Sequence, residues 1–276
     1  MLKNNYHTHM KYCGHADGDV ADYVKSAIKL GITELGMTDH APEPDGAMTE
    51  EEILDNKSYR YMKKDMVRLY LNQIREQQIL NQGKIKILSG FETEYIEGYI
   101  DHYKWLRSQV DYMNLGIHFF KDLDGHLKNS YKCIDYKNVM EYAKNVVKGI
   151  ETGLFNVVVH PDLYMFRYKD KDGNRTFDEN AKKAAKMILD AAVKNNVYVE
   201  VNCNAISWAD INDDSTWPYP NKDFWMFAKE YKNLKILVGA DAHKPERLGT
   251  PNIARAYEFV KEIGLKIEDK MEILKW

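Results

Sequence analysis

The stretch VYVEVN at residues 197–202 is an almost continuous run of apolar and β-branched residues, and VVVH at 157–160 and KILVGAD at 235–241 are similar. Strands have this composition when both of their faces are buried, as in a parallel sheet covered by helices. Between two of these runs, residues 178–194 repeat apolar side chains at the i, i+3, i+4 and i+7 spacing of a helix that covers one face of a sheet. This alternation predicts an α/β protein with parallel strands.

The same alternation extends over the whole chain. It predicts seven strands, near residues 4–9, 32–38, 84–91, 111–117, 155–160, 197–202 and 235–240, with helices that include 19–30, 136–151, 178–194 and 251–262. Seven such units form either a barrel or an open doubly wound sheet. The Gly-rich phosphate loop typical of open-sheet nucleotide-binding proteins is absent after the first strand, where HTHMKYCGHADG (residues 7–18) stands instead. A seven-stranded (β/α)7 TIM-like barrel is therefore preferred.

Length and composition indicate one domain over residues 1–276, because the 276 residues include no Pro/Gly/Ser-rich linker. The connections between the predicted strands and helices are short, except for an insertion at about 41–83. The first part of this insertion is acidic and the second part has a helical pattern. Long connections of this kind are usually lids or substrate-contacting segments. The EEE run at 50–52 is interpreted as a solvated helix start.

Charge and cysteine content restrict the function classes. A net charge of −3 with both signs interspersed argues against nucleic-acid binding. The three cysteines form no CxxC pair, which disfavours a thiolate zinc site or a disulfide framework. The N-terminal residues lack the apolar stretch of a signal peptide and no long apolar run follows, so we expect a cytoplasmic protein without a membrane span.

The predicted strands end in residue types that bind metals. These are His7 and His9, Asp39 and His40, Glu92 and Glu94, His118, His160, and Asp241 and His243, with His15 shortly after the first strand. In a parallel barrel the carboxyl ends of all strands meet at one rim, where active sites lie. Side chains at i and i+2 of a strand point the same way, so His7 and His9 can reach one ion, as can Asp241 and His243. Asp39 and His40 diverge, so only one of them is expected to be a direct ligand.

Other residues near the predicted rim are given weaker roles. His102, in a helix, and His126, in a turn-like segment, are interpreted as ordinary structural or surface histidines. The irregular segment with Trp208, Trp217 and Tyr219 is expected to face solvent near the rim. Its aromatic side chains could line the pocket, but packing over the barrel edge is the preferred interpretation.

The motifs HTH, TDH, GFETE, GIH, HPD and GADAH, in this order from Tyr6 to His243, resemble the polymerase-and-histidinol-phosphatase (PHP) superfamily. The resemblance implies a distorted seven-stranded βα barrel, in agreement with the strand pattern, and two to three divalent metal ions. It places one ion on His7, His9, Glu92 and Asp241. Glu92 would bridge to a second ion held by His118 and His160, and a third would lie on His15, His40 and His243. Imidazole and carboxylate ligands suit zinc, iron or manganese.

Within the superfamily, the length, the insertion after TDHAPEP and the HPDL segment resemble the histidinol-phosphate phosphatases. This implies hydrolysis of a small phosphate monoester, with Glu92 and His243 acting in catalysis and Asp17 as a candidate acid. Arg167 and Arg247, along with Asp17, are candidate substrate-binding residues, because arginines in rim loops can hold a phosphate in a bidentate manner. Acidic residues of segment 43–55 could meet the amine of histidinol. Two alternatives stay open: a nuclease or phosphoesterase with another substrate, and a metal-stabilised scaffold without catalysis.

Overall fold

The computed structural model describes residues 2–49, 51–52 and 61–273. Seven strands form one sheet in which every neighbouring pair is parallel. In spatial order they are β1 (Asn4–Asn5), β2 (Glu34–Met37), β3 (Lys86–Thr93), β4 (Tyr112–Leu115), β7 (Val157–Val158), β8 (Tyr198–Asn202) and β9 (Ile236–Gly239). An isolated parallel bridge between Thr8 and Ala242 joins the two ends of this sheet. The predicted seven-stranded α/β barrel is confirmed.

Helices connect these strands and begin and end at recognisable signals. They are α1 (Val20–Leu30), α2 (Val67–Leu80), α3 (Ile100–Gln109), α4 (Val139–Glu151), α5 (Glu179–Lys194), α6 (Lys222–Ala228) and α7 (Pro251–Ile263). The carboxylate of Asp178 accepts hydrogen bonds from the first turn of α5, and α7 has a proline at its first position. All four helices predicted outside the insertion are confirmed.

The barrel strands are buried on both faces. Their outward residues, such as Val199 and Val238, pack with the helices in the main hydrophobic core. A smaller cluster at the amino-terminal end of the strands contains Tyr6, Leu88, Tyr112, Val157, Val159, Tyr198, Leu237 and Met271. The C-terminal segment closes this end, because the backbone N–H of Met271 donates to the Tyr6 hydroxyl at 3.0 Å. The histidines and acids of the predicted metal site lie at the opposite end, where the strands finish.

The described part of the predicted insertion contains a regular helix. Its helical half is α2, whose Tyr70 hydroxyl donates to the carbonyl of Gly90 on β3 at 3.0 Å. Glu52, in the EEE run, is half-buried and accepts a hydrogen bond from the backbone of Leu127 at 3.0 Å. Glu50 and residues 53–60 lie outside the described residues, and so does part of the acidic segment 43–55.

Two features differ from the sequence-based expectation. A hairpin, β5 (Phe119–Lys121) with β6 (Leu127–Asn129), follows the fourth barrel strand. Trp217 and Tyr219 are buried rather than solvent-facing. The Trp217 indole can be buried because its N–H donates to the Asp210 carbonyl at 2.8 Å. Across the described ranges, no helix is long and apolar enough to span a membrane.

Candidate metal centre

The first strand brings two imidazoles together at the carboxyl end of the barrel. Thr8, between them, is fixed by hydrogen bonds from its backbone N–H to the Thr38 hydroxyl and from its own hydroxyl to the Gly36 carbonyl. The Nε2 atoms of His7 and His9 consequently lie 3.0 Å apart. At most one proton fits between two imidazole nitrogens, whereas a cation can bind both.

Two carboxylates complete this first group. Glu92 Oε2 lies 3.3 Å from His7 Nε2 and 3.1 Å from His9 Nε2. Asp241 Oδ1 lies 3.6 Å and 3.1 Å from the same two nitrogens. Ligand bonds of about 2.0–2.2 Å in a tetrahedral site would separate the ligands by about 3.4 Å. His7, His9 and Asp241 therefore have donor atoms with the spacing of one metal site, and a Glu92 oxygen lies next to both imidazole nitrogens.

Glu92 also faces a second group through its other oxygen. Its Oε1 lies 2.9 Å from His160 Nε2 and 3.5 Å from His118 Nε2. A side chain at Gly116 would collide with this carboxylate, so the absence of a Cβ there leaves room for Glu92. One carboxylate thus has separate imidazole neighbours at each oxygen, which is the arrangement of a bridging ligand.

The remaining imidazoles lie at the mouth of the cluster. His15 Nε2 and His243 Nε2 are 3.0 Å apart. His40 has donor atoms near those of His9 and His243, and near those of Glu92 and His118 as well. Its Nδ1 lies 3.2 Å from Glu92 Oε2. His40 therefore lies next to members of all three groups rather than in the third alone.

The backbone is strained at two of these positions. His160 has φ +35° and Asp241 has φ +46°, both in the left-handed region that non-glycine residues rarely adopt. Such conformations cost about 1–3 kcal/mol each and cluster at functional sites. They occur where the chain leaves β7 and β9, and they direct an imidazole and a carboxylate into the cluster.

Both carboxylates of the cluster have a lowered pKa. Burial opposes ionisation of Glu92, but the imidazoles of His40, His7 and His118 outweigh it and hold the pKa of Glu92 well below its usual range. For Asp241 burial is likewise outweighed, first by His7, and its pKa also lies well below its usual value. Both carboxylates are therefore ionised at neutral pH, as metal ligands must be.

The pKa values of the inner and outer imidazoles are shifted in opposite directions. Burial disfavours charge on His7, but Glu200, Asp241 and Glu92 raise its pKa to about 10. Burial and the neighbouring His9 lower the pKa of His243 to about 3. The outer imidazole is thus neutral and available as a ligand, whereas the inner one exchanges a proton when a cation binds.

Carboxylates lie behind three of the imidazoles and form hydrogen bonds with two of them. Glu200 Oε1 lies 2.9 Å from Nδ1 of His7, and Glu94 makes a short hydrogen bond with Nδ1 of His118. Asp39 lies 3.8 Å from Nδ1 of His9, beyond hydrogen-bonding distance, and accepts a hydrogen bond from the His40 backbone N–H at 3.0 Å. Such partners fix the tautomer and orientation of a ligating histidine.

Glu200 is a residue of the candidate site that the sequence patterns did not reveal. It lies in the middle of the apolar run VYVEVN and is buried inside the barrel. It also accepts hydrogen bonds from the His160 backbone N–H at 3.2 Å and from Asn202 Nδ2 at 2.9 Å. An acid in a strand buried on both faces almost always has a partner, and this was the available signal.

A cavity of about 420 Å³ opens onto the imidazole cluster. Arg247 lines it, and its Nη1 donates to Asn204 Oδ1 at 2.8 Å. Arg167 is exposed, packs its guanidinium on the Phe166 ring at 4.7 Å and lines a neighbouring cleft instead. Asp17 is exposed and pairs with Lys244 Nζ at 2.9 Å, outside the residues that line the cavity.

The two histidines given structural roles lie away from the cavity lining. His102 makes a 2.8 Å hydrogen bond with the carbonyl of Pro42. His126 lies in the turn of the hairpin, where its backbone N–H donates to Asp122. Neither contact involves the imidazole cluster.

Comparison with known proteins places the chain in a family. The PHP domain family model matches residues 5–204. A histidinol-phosphatase of Bacillus subtilis is 26% identical over 141 residues, 49% of each chain, so the match spans about half of that relative. A protein of Deinococcus radiodurans named "Probable histidinol-phosphatase" is 22% identical over 94% of this chain and 92% of its own.

Among solved structures, the histidinol phosphate phosphatase of Lactococcus lactis, complexed with zinc, L-histidinol and phosphate, is similar. Its TM-score is 0.68 at 18% identity, covering 96% of this chain and 95% of that one. This similarity establishes the shared fold. Since the family model covers most of the chain, including the first strand, Glu92, His118 and His160, this protein belongs to the PHP domain family.

Proposed function

We propose that this protein is a metal-dependent phosphomonoesterase that hydrolyses L-histidinol phosphate to L-histidinol and phosphate. The observation that carries the proposal is Glu92, a buried carboxylate with imidazoles of two groups at its two oxygens. Relatives named histidinol-phosphatase, and a solved structure of this fold that holds zinc, histidinol and phosphate, support the substrate.

The donor atoms fit a cluster of two to three divalent ions, with zinc, iron and manganese all compatible with imidazole and carboxylate ligands. His7, His9, Glu92 and Asp241 would hold the first ion, and Glu92, His118 and His160 the second. His15, His40 and His243 would hold a third. Bound divalent ions would acidify a water molecule and reduce the charge on the phosphoryl oxygens.

Cationic side chains beside the cluster would receive the phosphate. Arg247 is oriented by Asn204, and Lys132 and Lys244 line the same cavity. Their positive charge would stabilise a phosphate dianion before and during the reaction. Arg167 would contribute only if a substrate extended into the neighbouring cleft.

Proton transfer to the leaving alcohol requires a further group. Asp17 is proposed for this role, although its carboxylate contacts Lys244 rather than the cavity. The substitution Asp17→Asn tests it: if Asp17 is the acid, kcat falls while the bound metal content is unchanged. An unaltered kcat would remove Asp17 from the mechanism.

The central test combines metal analysis with phosphate release. Protein purified without chelator should contain at least two divalent ions per chain and release phosphate from histidinol phosphate. Glu92→Gln should lose bound metal and lower kcat by at least about a thousandfold, comparable to the loss of a central catalytic group. His126→Ala, at an exposed histidine in the hairpin turn, is the matched control. Fewer than two ions per chain, or no phosphate release, would contradict the proposal.

A further inference from the structure

The cavity has two chemically different sides. One side is the imidazole and carboxylate cluster, and the other includes Tyr131 and Trp208. Nearly half of the Trp208 side chain is exposed, 48%, whereas Trp217 and Trp225 are fully buried. Trp208 thus presents a large apolar surface at the mouth of a polar cavity.

Neighbouring rings hold Trp208 in position. Its ring centroid lies 5.7 Å from Tyr219, 6.1 Å from Phe166 and 6.4 Å from Tyr131, with each neighbour inclined to the indole plane by 50° or more. The indole therefore contacts these neighbours at an angle instead of stacking in parallel on any of them. An indole fixed in this way can receive another planar group at little cost in side-chain entropy.

The aromatic side is continuous with the metal centre. Tyr131 lies nearly parallel to the His118 imidazole, with centroids 5.8 Å apart and an interplanar angle of 15°. Trp208 thus lies one ring beyond a proposed metal ligand. A small phosphate ester with its phosphate at the cluster could place the rest of its alcohol against the indole.

Charge in the cavity also directs the alcohol to this side. Among the described residues that line it, the only carboxylates are Glu92 and Asp241, and both face imidazoles. Glu43 and Asp45 of the acidic segment line a different cavity. Once the phosphate has engaged the cations, the faces of Tyr131 and Trp208 offer an electron-rich surface to an organic group, beside the amides of Asn129 and Asn204.

We infer that Trp208 is the platform for the leaving group and that the site selects phosphate monoesters whose alcohol carries a planar ring. The inference rests on the proposed phosphomonoesterase function and names the substrate class of that site. The imidazole of histidinol belongs to this class. Stacking on an aromatic side chain contributes to ground-state and transition-state binding alike, so its loss raises KM more than it lowers kcat.

The test uses two esters that differ only in the ring: L-histidinol phosphate and L-alaninol phosphate. The natural chain should have the higher kcat/KM with histidinol phosphate. Trp208→Ala should lower this value about tenfold, mainly through KM, and change the value for alaninol phosphate less than twofold. Trp208→Phe should recover most of the loss. Leu123→Ala, at a residue that is 78% exposed in the hairpin turn, is the control.

The outcomes separate the platform from the proposed function. Equal losses for both esters would show that Trp208 only supports the fold of the rim, and unchanged values would show no contact, so either result overturns the inference. If the natural chain hydrolysed neither ester, the proposed function would fail. Calorimetric titration of histidinol and alaninol in the presence of inorganic phosphate would then test the role of Trp208. Tighter binding of histidinol than of alaninol, with the difference lost in Trp208→Ala, would support the inference. Equal or undetectable binding would overturn it.

Discussion

Two histidines of the cluster each form a hydrogen bond with a carboxylate on the side away from the other imidazoles. Glu200 behind His7 and Glu94 behind His118 are both buried, and a buried carboxylate is stable only with partners that satisfy it. Gly239 makes the first pair possible, because a side chain at that position would collide with Glu200. The glycine on β9 is therefore explained by the carboxylate on β8.

Replacing Glu200 with glutamine should weaken metal binding without removing a ligand. The amide keeps the size of the carboxylate but loses the charge that orients His7, and loss of such a partner typically costs about 10–100-fold in metal affinity. Competition with a chromophoric chelator measures this affinity. Glu34→Gln, a buried acid at the opposite end of the barrel that pairs with Lys270 at 2.9 Å, should leave it unchanged. Equal affinities in all three proteins would contradict the orienting role.

At the scale of elements, the strand ends explain why much of the site could be predicted. Apolar runs identify the strands, and parallel strands bring their carboxyl ends together, so the sequence alone places His7, His118, His160 and Asp241 near one another. The assignment of these residues to individual ion sites could not be predicted in the same way. His40 lies next to all three groups because it forms a parallel bridge with Glu92 beyond the end of β2, and linear spacing carries no information on such a pairing.

The loops were predicted least well for the same reason. Trp217 is buried because its indole N–H reaches Asp210 and its ring stacks with Arg255 at 5.1 Å, contacts that depend on the folded path of the loop. Arg167 and Arg247 have similar positions after their strands, yet only Arg247 lines the cavity. Distance along the chain from a strand end does not determine the direction of a side chain.

Helix α1 follows the site loop directly, and its start depends on Asp19. The carboxylate accepts hydrogen bonds from the N–H groups of Ala21 and Asp22, and the Asp22 carboxylate in turn accepts one from the Asp19 backbone N–H. Asp19→Ala should lower the free energy of unfolding by about 1 kcal/mol at pH 7, measured by urea denaturation. Asp101→Ala, in the first turn of α3 without a capping bond, should change it by less than about 0.5 kcal/mol.

The effect of Asp19→Ala should depend on pH in a defined direction. Slight burial opposes ionisation, but Lys11 and the helix N–H groups lower the pKa of Asp19 below its ordinary value. An acid with a lowered pKa stabilises the fold above about pH 4, where the unfolded form is ionised, and loses this contribution as the pH falls through the folded pKa. The difference in unfolding free energy between the two proteins should narrow as the pH falls below about pH 4. If this difference stayed constant with pH, the stabilising effect of the Asp19 cap would not depend on its charge.

At the scale of the whole molecule, the metal centre and the contacts that close the barrel lie at opposite ends of the barrel axis. The imidazole cluster occupies the carboxyl ends of the strands, whereas the C-terminal segment closes the amino ends through Met271 and through the backbone N–H of Glu268, which donates to Ile236 at 2.7 Å. Between the two lie side chains of the strands themselves, such as Asn114 and Tyr112, both of which donate to the Tyr6 carbonyl at 2.9 Å. Changes at the closed end should therefore alter folding without altering the site.

Met271→Ala tests this separation. The side chain is 2% exposed and packs with Tyr6, Tyr198 and Leu237, so its truncation leaves a cavity that should lower the free energy of unfolding by about 2–5 kcal/mol. Met226→Ala, at a methionine that is 43% exposed on α6, should change it far less. Metal content and kcat per folded molecule should match the natural chain in both variants. A loss of bound metal in Met271→Ala, measured where the protein is still folded, would show that the closed end and the metal centre are coupled through the strands.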